Sequence, residues 1–217
     1  NLPGLDIEVA NLATNKIERI SFLRKNGIPC ADFRVAKSNS ELECASESIG
    51  FPLILKPIDS SGSRGVQYVE NFKELKLAYQ IAMKYSDNKQ VLLEEVLKGH
   101  EISTESVVHD GEIHTFAFAD RNYSNSNMFL PFFIENGINF PSTLSTDMQN
   151  KVNLLIEKTI RLLGIDFGAA KGDVIIDNGV PKIIEMAART SGGWFGAGSI
   201  PAATGCNALI PLLQMSV

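Results

Sequence analysis

Two carboxylates twelve residues apart, Asp173 and Glu185, stand out as candidate metal ligands. They flank Asn178-Gly179, a dipeptide typical of a tight hairpin turn between two apolar runs. A three-residue turn starting at Asn178 pairs Asp173 with Glu185, and their side chains then project from one face about 5 Å apart. Such a pair can hold a divalent cation that completes its shell with phosphate oxygens. A surface hairpin with two solvated acids is the alternative.

Upstream residues can serve the same phosphate chemistry. Residues 59–66 contain glycines and serines whose backbone N–H and hydroxyl groups can close over phosphates, namely Ser60, Ser61, Gly62, Ser63 and Gly65. An ordinary turn is the alternative for this segment. Lys56 ends an apolar run, so its ammonium group reaches either solvent or a ligand phosphate. Lys16 lies in the first turn of a predicted helix, where a solvated surface lysine is the alternative.

Two further segments could contact a nucleotide or a second substrate. Residues 94–97, Glu-Glu-Val-Leu, follow an apolar strand and could face a base and a ribose, with solvated charges as the alternative. Residues 120–145 carry Arg121, Tyr123 and Glu135, and Arg121 could hold a substrate carboxylate through a bidentate contact. A solvated loop is the alternative. Trp194, after two glycines, could pack on a small substrate or lie in the core.

Composition excludes several classes of protein. The chain has 217 residues, 44% of them hydrophobic, and a net charge of -5 with scattered signs, which argues against a nucleic-acid binder. No run of about 18 apolar residues predicts a membrane span, and no signal peptide is recognisable, so we expect a cytoplasmic protein. The three cysteines are widely spaced and fit thiols of a reducing compartment.

The elements that must position these residues alternate irregularly between helix and strand. Helices are predicted at residues 15–25, from the cap Asn71 to about residue 85, and over 147–163, where Gly164 ends the helix. Strands are predicted at residues 51–56, around Val91 and in a hairpin about Asp110-Gly111. This mixture without strict alternation predicts an α+β or mixed α/β architecture.

The motifs occur in a specific order along nearly the whole chain. That order is Asn15-Lys16, Gly27-Ile28-Pro29, Phe51-Pro52, Lys56-Pro57, Gly62-Ser63-Arg64-Gly65-Val66, Glu94-Glu95, Gly99-His100-Glu101, Asp173, Glu185, Arg189, Gly192-Gly193 and Ala203-Thr204-Gly205. It resembles the ATP-grasp superfamily, in particular the branch with biotin carboxylase, carbamoyl-phosphate synthetase and the amino-acid ligases.

The resemblance implies an α+β fold in which two lobes hold ATP between them. It implies a helical lead-in at residues 1–30, a lid lobe at 31–96, and a larger lobe with the metal site at 97–217. The family usually carries a substrate-binding domain before these lobes, and we expect that domain to be absent from this sequence. The sequence opens at Asn1 without a methionine, and we expect it to be an ATP-binding piece of a longer protein.

The resemblance also implies residue roles. ATP would be bound by Lys16, Lys56, Ser61, Gly62, Ser63, Gly65, Glu94, Glu95, Val96, Leu97 and Glu101. Catalysis at the acyl-phosphate site would fall to Arg189 and Lys56. Asp173 and Glu185 would hold Mg²⁺, with Mn²⁺ as an alternative ion.

Three residues depart from the family pattern. Ala187 stands where the family often has an asparagine ligand, which weakens the case for two ions held by three protein ligands. Asp173 stands where glutamate is more usual, so the ion would lie closer or be reached through water. Lys171 beside it either competes for the phosphate region or points away along the strand.

The implied function is an ATP-dependent carboxylate–amine ligase of the amino-acid type. ATP would phosphorylate a small carboxylate to an acyl phosphate, which an amine then attacks. No nucleic acid or membrane partner is expected, and a homodimer would form through regions outside this span. Two alternatives are a carboxyphosphate-forming enzyme, like carbamoyl-phosphate synthetase or biotin carboxylase, and a non-catalytic ATP-binding module.

Overall fold

The structure, a computed structural model, describes residues 4–215. Within that range the strands are Phe33–Ala36 (β1), Leu53–Pro57 (β2), Gln67–Val69 (β3), Val91–Glu95 (β4), Gly99–His109 (β5), Glu112–Asn122 (β6), Gly137–Asn139 (β7), Gly168–Asp177 (β8) and Val180–Ala187 (β9). They form a four-stranded sheet in the order β1-β4-β2-β3 and a five-stranded sheet in the order β7-β6-β5-β8-β9, and neighbouring strands in each order pair antiparallel. The predicted α+β class is confirmed.

Helices cover the remaining regular parts of the described chain. They are Ile7–Thr14 (α1), Lys16–Lys25 (α2), Asn39–Ile49 (α3), Phe72–Lys84 (α4), Ser126–Phe129 (α5), Thr146–Leu163 (α6), Ile200–Thr204 (α7) and Leu209–Met215 (α8), with a short π-helix at Phe195–Ser199. Within these residues none is both long and apolar enough to cross a bilayer. Residues 1–3 of the predicted lead-in and 216–217 of the predicted larger lobe lie outside the described residues.

Helices α3 and α4 pack on the four-stranded sheet. The Asn71 side chain caps α4 as predicted, because its oxygen accepts from the backbone N–H groups of Lys73 and Glu74. The apolar side of α4 then meets the sheet through a core that contains Leu42, Leu53, Leu55, Leu75, Ala78, Ala82 and Leu93. This packing fixes β2 and β4, the strands that end at the predicted phosphate and base contacts.

Helix α6 packs on the five-stranded sheet. Val152, Ile156, Ile160 and Leu163 recur every three or four residues and are buried. Each such side chain contributes about 1.5–3 kcal/mol by leaving water. Gly164 ends the helix with a φ of 75°, a left-handed conformation that glycine adopts readily. One face of this sheet is thereby covered, which leaves its other face for the four-stranded sheet and the site.

Segments outside the strands link the two sheets through backbone hydrogen bonds. Residues 29–32 connect β9 with β4, because Ile183 N–H donates to the Pro29 carbonyl at 2.8 Å and Glu95 N–H donates to the Asp32 carbonyl at 3.0 Å. Tyr68 N–H on the edge strand β3 donates to the Pro131 carbonyl at 2.8 Å. The polar segment between β6 and β7 therefore reaches across to the four-stranded sheet.

Candidate functional site

A cleft of about 490 Å³ is lined by residues of both sheets and of helix α2. It collects most of the predicted site residues, namely Lys16, Lys56, Ser61, Gly62, Ser63, Glu94, Glu95, Val96, Leu97, Glu101, Asp173, Glu185 and Arg189. Gly65 does not line it. A Cβ atom at Gly65 would lie 2.9 Å from a Tyr85 ring carbon and 3.1 Å from Pro57 Cγ, so this glycine permits close packing behind the loop.

The carboxylate hairpin has the predicted facing but not the predicted turn. Asp177 pairs with Val180, so the connection is the two-residue turn Asn178-Gly179, whose φ angles of 50° and 79° are both positive. That turn alone would place Asp173 opposite Ile184. A β-bulge next to Asp173 adds one residue on β9 and restores the pairing of Asp173 with Glu185.

Asp173 is buried, with 2% of its surface exposed, and already has three polar partners. The Ser103 hydroxyl donates to Oδ1 at 2.6 Å, Arg121 Nη1 donates to Oδ2 at 3.1 Å, and Lys171 Nζ contacts Oδ2. The alternative in which Lys171 points away is wrong. This carboxylate is therefore compensated by protein cations before any metal arrives.

Glu185, unlike Asp173, is available to bind a metal ion. Its side chain is 37% exposed, and Arg19 Nη2 lies 4.0 Å from its Oε1. Within the described residues no group of three or more histidine, cysteine or acidic side chains could hold a metal. Magnesium commonly binds through one or two carboxylates with phosphate oxygens and water, so Glu185 with Asp173 opposite fits an ion that arrives with a nucleotide.

Arg121 is the centre of a buried acidic cluster. Its guanidinium lies 2.5 Å from Glu135, 3.1 Å from Asp173 and 3.3 Å from Glu101, and its side chain is 19% exposed. The solvated-loop alternative is wrong for this side chain. The guanidinium therefore contacts protein carboxylates, whereas the sequence suggested that it could hold a substrate carboxylate. Burial raises the pKa of Glu101 to about 7, and the nearby Asp173 charge raises it as well, while Arg121 opposes the shift.

Lys56 reaches into the cleft from β2. Its Nζ lies 2.5 Å from Glu94 Oε2 on the neighbouring strand β4, and their side chains are only 18% and 9% exposed. The ammonium group is therefore paired with a protein carboxylate rather than free in solvent, and a phosphate contact stays a prediction. An anionic ligand would compete with Glu94 for this ammonium group.

Lys16 ties helix α2 to the serine- and glycine-rich loop. Its Nζ donates to the carbonyls of Ser60 and, at 3.3 Å, of Pro57. Burial lowers the pKa of Lys16, the nearby Glu185 raises it, and the shift is downward overall. The solvated-lysine alternative is therefore wrong. Within the loop, Gly62 and Ser63 have φ angles of 64° and 57°, so the backbone turns sharply beside the ammonium group.

Arg19 is a cleft residue that the sequence reasoning missed. It is 6% exposed, and its Nη1 donates to the Ala13 carbonyl at 2.6 Å. The available signal was its position three residues after Lys16, because residues i and i+3 share a helix face.

Trp194, by contrast, is 78% exposed, so the core alternative for it is wrong, while a substrate contact stays a prediction.

Comparisons with known proteins identify the family. A family model described as an ATP-grasp domain matches residues 49–198, more than half of the chain. The chain belongs to the ATP-grasp family. A D-alanine–D-alanine ligase from Delftia acidovorans is 25% identical over 203 residues, covering 91% of this chain and 61% of the ligase.

Solved structures agree with this assignment. The L-amino acid ligase from Bacillus licheniformis has a TM-score of 0.83 at 25% identity, covering 99% of this chain and 50% of that one. The biotin carboxylase domain dimer of the Hydrogenobacter thermophilus 2-oxoglutarate carboxylase, in complex with MgADP, ADP and bicarbonate, has a TM-score of 0.77 at 20% identity. It shares the fold, over 95% of this chain and 46% of that one. The chain thus spans from 46% to 61% of these three proteins.

Proposed function

We propose that this chain is the ATP-binding part of a carboxylate–amine ligase of the amino-acid type. The observation that carries the proposal is one cleft in which the cations Lys16, Lys56 and Arg189 meet the facing acids Asp173 and Glu185. A polyphosphate needs such cations, and its metal ion needs such acids. The similarity to an L-amino acid ligase and to D-alanine–D-alanine ligases supports this class of reaction.

In this proposal the nucleotide lies along the cleft from residues 94–97 to Arg189. Residues 94–97 face the adenine, and Glu101 accepts from the ribose hydroxyls. Lys16, Lys56 and the loop at residues 61–65 bind the phosphates. Glu185 and Asp173 hold Mg²⁺, or Mn²⁺, which when bound neutralises charge on the phosphate oxygens.

The chemistry needs positioned cations more than a protein nucleophile. A substrate carboxylate oxygen attacks the γ-phosphorus, the bond to the β-phosphate oxygen breaks, and ADP leaves. An amine nitrogen then attacks the acyl carbon, the bond to phosphate breaks, and an amide forms with loss of a proton. Arg189 and Lys56 stabilise negative charge on the transferring group. In this proposal Trp194 contacts the small substrate.

The domain organisation is also part of the proposal. The lead-in at residues 1–30, the lid lobe at 31–96 and the larger lobe at 97–217 each contribute residues to the cleft. Separate lobes agree with the two sheets and with their separate hydrophobic cores. We place the protein in the cytoplasm and place any homodimer contact outside this span.

The test is ADP release by the full-length protein with MgATP and a panel of amino acids, dipeptides and bicarbonate. We expect release to require a carboxylate substrate and to rise when a second amino acid is added, with Glu185→Gln as the inactive control. ADP release with bicarbonate alone would point instead to a carboxyphosphate-forming enzyme. ATP binding without ADP under every condition would refute the ligase proposal.

A further inference from the structure

Glu105 on β5 is a buried carboxylate that the proposed chemistry does not use. It is 1% exposed, and its Oε1 accepts a hydrogen bond from the backbone N–H of Ser191 at 2.7 Å. It pairs across the sheet with Lys171, two residues along β5 from Ser103, which pairs with Asp173. Burial raises the pKa of Glu105, which the Ser191 hydrogen bond and Lys171 oppose. Burying an acid costs free energy unless its partners compensate for the lost water. The Ser191 N–H is one such partner, which raises the question of what this buried acid does for the segment that contains Ser191.

The partner of Glu105 belongs to the segment that follows Arg189. Arg189 is exposed, and its Nη1 donates to the carbonyl of its own neighbour Thr190 at 2.9 Å, a bond that does not fix it to the sheet. Gly192 and Gly193 come next, and Gly193 has a φ of 65°. A segment with two glycines has many accessible backbone conformations, so its position depends on where it is anchored.

Two anchors tie this segment to the five-stranded sheet. The Ser191–Glu105 hydrogen bond lies two residues after Arg189. The second anchor is Phe195, which is 2% exposed and meets Phe140 edge-to-face at 6.1 Å between ring centroids. Gly196 packs over the first anchor, since a Cβ atom there would lie 3.7 Å from Glu105 Oε1. Of the two, the carboxylate is the anchor nearer to Arg189.

We propose that Glu105 is a positioning residue that fixes the backbone after Arg189, so that the guanidinium meets the terminal phosphate of ATP. The inference rests on the proposed function, in which Arg189 contacts that phosphate. Glu105 itself touches neither nucleotide nor substrate in this proposal. Its effect should therefore appear in affinity for ATP but not for ADP, which lacks the terminal phosphate.

The test is calorimetric binding of a non-hydrolysable ATP analogue and of ADP, both with Mg²⁺, to the wild type and four variants. Arg189→Met should lower analogue affinity about tenfold and leave ADP affinity unchanged, as expected for a charged hydrogen bond. Glu105→Met fills the same space but cannot accept a hydrogen bond. It should lower analogue affinity at least several-fold and leave ADP affinity unchanged. Glu105→Gln keeps an acceptor oxygen and should stay within about twofold of the wild type. The Arg189→Met/Glu105→Met double variant should lose no more than Arg189→Met alone.

The outcomes separate this inference from the proposed function. A wild type that binds neither nucleotide refutes the function itself. If the wild type binds both, equal losses of analogue and ADP in Glu105→Met, or additive losses in the double variant, overturn the positioning role. If Glu105→Met does not fold, hydrogen exchange at the Ser191 amide tests the anchor instead. Protection in the wild type and in Glu105→Gln supports the anchor, and exchange at the rate of a free loop overturns it.

Discussion

Replacement of Arg121 by methionine should destabilise the fold strongly. The guanidinium is shared by Glu101, Glu135 and the 2%-exposed Asp173 at 2.5–3.3 Å. Breaking a buried ion pair by removing one partner costs about 3–5 kcal/mol, because the remaining charge stays buried. Asp173 keeps Ser103 and Lys171, so we expect a loss of about 3 kcal/mol in the free energy of unfolding.

Equilibrium urea unfolding of the nucleotide-free chain at pH 8 and pH 5 measures this loss. Arg34→Met is the matched control, since Arg34 is 43% exposed and pairs with the exposed Asp32, and such surface pairs contribute about 0–1 kcal/mol. Glu101 is ionised above its pKa of about 7 and protonated at pH 5, so its part of the loss should be present at pH 8 and vanish at pH 5. A loss at pH 8 no larger than that of Arg34→Met would show that the cluster does not hold the fold.

Three further predictions concern the metal, the pH dependence and the backbone. Glu185→Gln should weaken Mg²⁺-dependent ATP binding more than Glu101→Gln does, and calorimetry with and without Mg²⁺ that finds equal losses would contradict the metal role. Wild-type stability should fall as pH rises from about 4.5 to 7, because the folded state keeps the Glu101 proton that the unfolded chain releases; Glu101→Gln should flatten that slope in urea unfolding. Gly99→Ala should lower the melting temperature by several degrees, because a Cβ atom would lie 1.9 Å from the Ile176 carbonyl oxygen, and an unchanged melting curve would contradict this close approach of β5 to β8.

Local signals predicted much of the fold. Asn71 as a helix cap, Gly164 as a helix end and the Asp110-Gly111 turn are all confirmed, because each depends on the backbone preferences of a few neighbouring residues. The order of the motifs predicted the family, which the match over residues 49–198 confirms. Local signals did not predict helix α1, although the resemblance implied a helical lead-in over residues 1–30.

The candidate site was predicted as a set of residues but not as a set of contacts. Asp173 faces Glu185 because a two-residue turn and a β-bulge offset each other, and the sequence did not predict the bulge. Lys16 was indistinguishable from a solvated lysine until the carbonyl of Ser60, 44 residues away, was placed beside it.

The amino-acid sequence by itself determined the beginning or end of several helices, the turn at Asp110-Gly111, and which residue types could bind a nucleotide and its metal. Only the tertiary structure decided which charges are buried together, such as Arg121 with its three acids and Glu105 with the Ser191 amide. The physical reason is the distance along the chain over which each effect acts. Backbone preference acts over a few residues, whereas the energy of a buried charge depends on partners that distant segments bring to it.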